Sequence, residues 1–170
     1  MNSEALRALQ APLKESYVRD PEAARITLRA EGQLGANVTC SVDTGRAMAQ
    51  AGLHPATGGD GLSLCSGDML LQALVACAGV TLNAVATALA IPVNHGTVRA
   101  EGDLDFRGTL GVDKAAPVGF TRIRLSFHLD TNATDEQLAT LLKLTERYCV
   151  VYQTLRHSPA LDVTLSGSLA

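Results

Sequence analysis

The residues of this 170-residue chain best suited to chemistry are four cysteines, Cys40, Cys65, Cys77 and Cys149. A thiolate is a nucleophile and a metal ligand, and two neighbouring thiols interconvert with a disulfide. No two of the four form a C-x-x-C, so the chain has no ready zinc or thioredoxin-like motif. A metal site would need the fold to gather them with His54, His95, His128 or His157, which show no ligand spacing. Cys77 shares a helical stripe with Leu70, Leu74, Thr81 and Ala84 in the most apolar part of the chain, which predicts burial. Taken alone, it reads as a small core hydrophobe.

The segment that must position Cys77, residues 69–91, is free of charge and long enough to cross a bilayer. Seven alanines and the polar Gln72, Thr81, Asn83 and Thr87 dilute it, and the nearest basic residues, Arg46 and Arg99, lie too far away to orient a span. It is therefore read as the buried central helix of a globular domain, with no membrane partner. Ser66 is its expected N-cap, Asp68 a first-turn acid favoured by the helix dipole, and Pro92 follows an end near Ala90.

Before this helix, alternation predicts a hairpin of strands 25–30 and 36–42 around a turn at 31–35. A long loop at 43–66 follows, marked by His54-Pro55 and Gly58-Gly59-Asp60-Gly61. After the helix, 95–105 and 119–130 read as strands. In the second, Ile123, Leu125, Phe127 and Leu129 form a buried face, and Arg122, Arg124, Ser126 and His128 a wet one. Thr134 and Gln137 form a capping box opening a helix with Leu138, Leu141, Leu142 and Thr145 on its core side and Cys149 near its end. A short strand at 161–165 closes the chain. The expected class is α+β, helices on antiparallel sheet, as a single domain over 1–170 with an N-terminal extension at 1–24.

Composition narrows the function. With 46% hydrophobic and 18% charged residues the chain is a folded one. Its 14 basic residues are scattered among 17 acidic ones, and three Tyr, three Phe and no Trp offer no row of stacking platforms, which excludes nucleic acid as a partner. Residues 1–18 carry Glu4, Arg7, Lys14 and Glu15 and no apolar h-region, so a cytoplasmic, reducing location is expected, where thiols stay free unless a redox task oxidises them.

The wording around two cysteines adds a family. Leu70-Leu71-Gln72-Ala73-Leu74-Val75-Ala76-Cys77 in a long helix followed by Pro resembles the central-helix motif of the OsmC/Ohr family. Gly119-Phe120-Thr121-Arg122-Ile123, then an amphipathic helix, then Arg147-Tyr148-Cys149-Val150-Val151-Tyr152 resembles that family's second-cysteine block, the two cysteines lying 72 residues apart. The resemblance covers residues 25–166. It implies antiparallel sheets around a long buried central helix in an intertwined homodimer, with the thiols near the subunit interface. It also implies reduction of organic or hydrogen peroxides without a metal or organic cofactor, with Cys77 attacking, Cys149 resolving and an external thiol restoring the pair. The other function considered is a non-catalytic dimer of this fold that binds an apolar ligand or senses oxidants.

The chain departs from the family's hydroperoxide reductases in three places. Gly67 stands ten residues before Cys77, where they carry Glu; Asp68 is one residue late and reaches the thiol only through an irregular first turn, being otherwise a plain dipole-favoured acid. The hairpin has no Arg between Glu31 and Gly35, which leaves Arg46, the one Lys or Arg in 43–66, either as the cation that lowers the Cys77 pKa or as a solvated loop residue. Val150 replaces a frequent Pro, so the helix is expected to run past Cys149, with Thr145 and Glu146 on its face and the carboxylate raising the Cys149 pKa. Cys40 and Cys65 match nothing in the family pattern.

Overall fold

A computed structural model of the chain describes residues 3–35, 39–42, 51–62 and 64–165. In chain order its elements are α1 (Ser3–Arg19), β1 (Arg25–Gly35), β2 (Thr39–Val42), α2 (Ser66–Ala88), β3 (His95–Asp105), α3 (Phe106–Thr109), β4 (Arg122–Asp130), α4 (Asp135–Tyr148) and α5 (Val150–Arg156). The strands form one antiparallel sheet in the order β2-β1-β3-β4, and the helices complete the expected α+β class. The N-terminal extension is helical: α1 packs through Tyr17, whose hydroxyl donates to the Ala56 carbonyl at 2.6 Å.

Pairing, not local turn chemistry, sets the strand limits. Glu31 to Gly35, expected as a turn, continue β1, because β3 offers partners that far: Glu31 lies opposite Arg99 and Gln33 opposite Thr97. The hairpin itself is present, with Gly35 opposite Thr39. β4 begins at Arg122 rather than at 119, since Phe120 folds over the sheet at Gly102, where a Cβ would stand 2.4 Å from its ring. The alternating residues 161–165 form no strand; Leu161, Val163 and Leu165 are 84%, 91% and 99% exposed.

One sheet face is apolar and the other charged. Val98 and Ala100 of β3 meet Leu71, Leu74, Val75 and Ala78 of α2 in the main core, which also holds Cys149. On the opposite face Arg124 bonds Asp103 at 2.9 Å and Glu101 at 3.3 Å, and Thr27 donates to Asp103 at 2.7 Å. The Arg124 hydrogen bonds hold the Asp103 carboxyl well below the usual carboxylate range.

α2 buries one stripe rather than its whole surface. Leu71, Leu74, Val75, Ala78, Gly79, Leu82 and Ala86 are buried, while Leu70, Ala73, Val80 and Ala84 stand exposed along a second stripe. Cys77 lies at the border of the two and is half-buried, not enclosed as its neighbours in sequence suggested. Leu142, expected on the core side of α4, is 45% exposed, whereas Leu141 and Thr145 are buried and the Thr134–Gln137 capping box is formed.

Cys65, not Ser66, is the N-cap of α2, and its far end closes in a Schellman arrangement. The Ile91 N–H donates to the Ala86 carbonyl at 2.9 Å, and Ile91 packs with Ala86 in a second cluster. The residue between, Ala90, is left-handed with φ 52°, a conformation that costs an L side chain about 1 kcal/mol. Ala90→Gly should therefore raise stability by up to about 1 kcal/mol in chemical denaturation with an unchanged circular dichroism spectrum.

Candidate functional site

The helix that carries Cys149 ends at that residue instead of passing through it. Its φ of −72° and ψ of 108° are extended, so Cys149 is at once the last cap of α4 and the first cap of α5. Its N–H still donates to Thr145 at 2.9 Å, and its buried Sγ accepts the Tyr152 N–H at 3.5 Å. Because the chain turns here, the N–H groups of Val150 and Val151, which have no acceptors within their own helix, come to bear on Cys77.

Cys77 packs against the same core cluster as Cys149. Burial alone would push its thiol up, but the Val151 N–H, the Cys149 thiol, the Val150 N–H and the Thr81 hydroxyl together outweigh that and hold it below its ordinary value. Cys149 goes the other way: burial, helped by the sulfur of Cys77 and only partly opposed by the Tyr152 N–H, pushes it up to about 11. Of the two thiols, Cys77 therefore ionises first and Cys149 keeps its proton to higher pH. Two thiols of unequal acidity in one core cluster are the elements that thiol–disulfide exchange requires.

The remaining expected site residues are elsewhere. Asp68 sits in a regular first turn, not the irregular one that would bring it to the thiol; nine residues place it about 13 Å along the axis from Cys77. Burial raises its pKa and the charge of His54 lowers it, so its partner is His54, which stacks on Phe106 at 5.1 Å. Glu146 does not set the Cys149 pKa; its carboxylate pairs with Arg156 at 3.9 Å. Arg46 lies outside the described residues. Cys65 is half-buried against the main core, and Cys40 is opposite Leu34 in the β1–β2 pair. Among the described residues no cluster of His, Cys, Asp and Glu has the arrangement of a metal site. The amides of Val150 and Val151 carry no side-chain signature, and Thr81 stood in the Cys77 stripe as packing only.

Two grooves, of about 480 and 380 Å3, share part of their lining, and neither is lined by a cysteine. Leu74 and Tyr152, each one turn from a cysteine, wall the first; Leu125, Phe127 and Leu142 line both, and Arg122 and Arg156 stand on its rim. A third cleft of about 500 Å3 holds Arg25, Asp105, Arg107 and Asp113, which pair with one another, and Asp103, which pairs with Arg124.

A family model described as OsmC-like protein matches residues 58–164. Among solved structures, an OsmC-like hydroperoxide resistance protein from Jannaschia sp. CCS1 superposes with a TM-score of 0.58 at 18% identity, over 85% of this chain and 95% of its own. An OsmC-like protein from Mycoplasma pneumoniae gives a TM-score of 0.54 at 16% identity, over 79% and 86%. At such identities the likeness is one of fold. No curated protein matches the chain.

Since only the thiolate alkylates, iodoacetamide at pH 7.5 should label the Cys77 peptide well ahead of the Cys149 peptide. Labelling of Cys149 should rise only as the pH climbs toward 11. Peptide mapping by mass spectrometry reads both, and equal rates at neutral pH would contradict the assigned proton distribution.

Proposed function

The chain belongs to the OsmC-like protein family, and from that premise we propose that it is a thiol-dependent peroxidase acting on organic hydroperoxides through Cys77 and Cys149. The observation that carries this reading is that the fold brings Cys77 and Cys149, 72 residues apart in sequence, into one core cluster, with the first thiol lowered and the second raised. The relative from Jannaschia bears the name hydroperoxide resistance protein.

The Cys77 thiolate attacks the terminal oxygen of the hydroperoxide: the S–O bond forms, the O–O bond breaks, and two electrons pass from sulfur to oxygen. The leaving alkoxide takes a proton from water and departs as alcohol, leaving Cys77 as sulfenic acid. Cys149 loses its proton and attacks that sulfur, expelling the hydroxyl as water and closing the disulfide. An external dithiol in a reducing cytoplasm returns the two electrons. Cys149 suits the second step because, protonated, it does not repel the thiolate beside it. The organic part of the substrate would take the apolar surface of Leu74 and Tyr152, each one turn from a cysteine.

The functional unit of this proposal is a homodimer. Leu70, Ala73, Val80 and Ala84 give α2 an exposed apolar stripe that includes the border residue Cys77, and the apolar side chains of 161–165 are equally uncovered. A second copy would bury both. The groove lined by Leu82, Leu125, Phe127, Leu138 and Leu141 favours one other use of the same fold, a non-catalytic dimer that binds an apolar ligand or senses oxidants.

Consumption of cumene hydroperoxide with excess dithiothreitol separates the two. The peroxidase should turn over, Cys77→Ser should fall to the rate of dithiothreitol alone, and Cys149→Ser should accumulate a sulfenic acid trapped by dimedone. A wild-type rate equal to that of Cys77→Ser removes the peroxidase. Sedimentation at micromolar concentration should give a dimer, and a stable monomer there would remove the second copy.

A further inference from the structure

Nothing in the backbone chemistry of residues 135–156 demands a break at Cys149, for the stretch holds neither Pro nor Gly. An uninterrupted helix is the competing conformation, and in it the Glu146 carbonyl would accept the Val150 N–H four residues on. Here that carbonyl accepts a side chain instead. The Gln153 Nε2 donates to it at 2.7 Å, across seven residues and out of full contact with solvent.

The backbone N–H of Gln153 donates in turn to the Cys149 carbonyl at 2.9 Å, the first helical bond of α5. One residue thus holds the last turn of α4 and the first turn of α5, on either side of the cysteine. The other polar ties across the break are weaker. Arg156 reaches the Glu146 carboxylate at 3.9 Å with both side chains largely exposed, and the Tyr152 N–H finds only a sulfur, at 3.5 Å. Core packing places the Cys149 side chain, and Gln153 settles the path of the backbone that leaves it.

We propose that Gln153 is a positioning residue of the thiol site: by occupying the Glu146 carbonyl it keeps the helix open at Cys149 and holds the segment from Cys149 to Val151 in its place against α2. This rests on the reading of Cys77 and Cys149 as the reacting pair.

Gln153→Met removes the donor at nearly constant length and helix propensity. With the carbonyl released, α4 is free to run on through Cys149, and the Val150 and Val151 amides, which favour the Cys77 thiolate, return to helical bonding. The measurement is the pH profile of iodoacetamide alkylation of Cys77 in the full-length protein, read by peptide mapping. Its midpoint should rise, and labelling at pH 7 should slow roughly threefold to tenfold, tenfold being one pKa unit. A general loosening of the fold would quicken labelling instead. Gln10→Met deletes the same kind of bond on α1, from the Gln10 Nε2 to the Thr57 carbonyl at 3.3 Å, and should keep the wild-type profile. If Gln153→Met does not fold, Gln153→Leu takes its place. A Gln153 variant whose Cys77 labels at the wild-type rate or faster overturns the proposal, as does an equal slowing in Gln10→Met. Alkylation needs no peroxide, so a wild-type protein without turnover whose profile still shifts in Gln153→Met would sink the peroxidase and leave the clamp standing.

Discussion

At Cys149 the backbone takes one extended residue between two helices, and the thiol site depends on it. Were α4 to continue, the amides of Val150 and Val151 would be spent on the carbonyls of Glu146 and Arg147, as in any helix interior. The break frees them to favour the Cys77 thiolate and lets the buried sulfur of Cys149 accept the Tyr152 N–H. The geometry is held by packing, because Cys149 sits in the same cluster as Leu71, Leu74, Val98 and Ala100.

That cluster also joins the site to the fold. α2 presents its buried stripe to β1 and β3 on one side and to α4 and α5 on another, so Cys77 is fixed by the sheet and Cys149 by the helices that cap it. The charged outer face of the sheet, bound up in the Arg124–Asp103–Glu101 set, leaves the apolar face as the one on which helices pack. The antiparallel sheet and its central helix are the fold shared with the OsmC-like structures.

What could be read from the sequence was what local pattern decides. The central helix, the strand at 95–105 and the Thr134–Gln137 box are each specified by neighbours a few residues away, and they stand where the pattern put them. The end of β1 was not legible, because its partner β3 lies some 70 residues later and overrides glycines at 32 and 35 that look like a turn. A strand at 161–165 failed for a related reason: alternation describes a side chain's two faces, but a strand exists only with a paired neighbour, and the described chain supplies none. The pair Cys77 and Cys149 came from family wording. The amides that act on Cys77 could not, since every residue has one and only tertiary packing decides which are left unbonded.

The donors around Cys77 are peptide and hydroxyl dipoles, together with a neutral thiol. A thiolate held by an arginine loses part of that support when salt screens the charge, over a Debye length of about 8 Å at physiological ionic strength. Oriented dipoles in van der Waals contact have no net charge for counterions to gather around, and peptide and hydroxyl groups do not titrate in the physiological range. Among the described residues, the influences that favour the Cys77 thiolate are therefore ones that salt does not screen as it screens an ion pair, and they follow from the direction of the backbone.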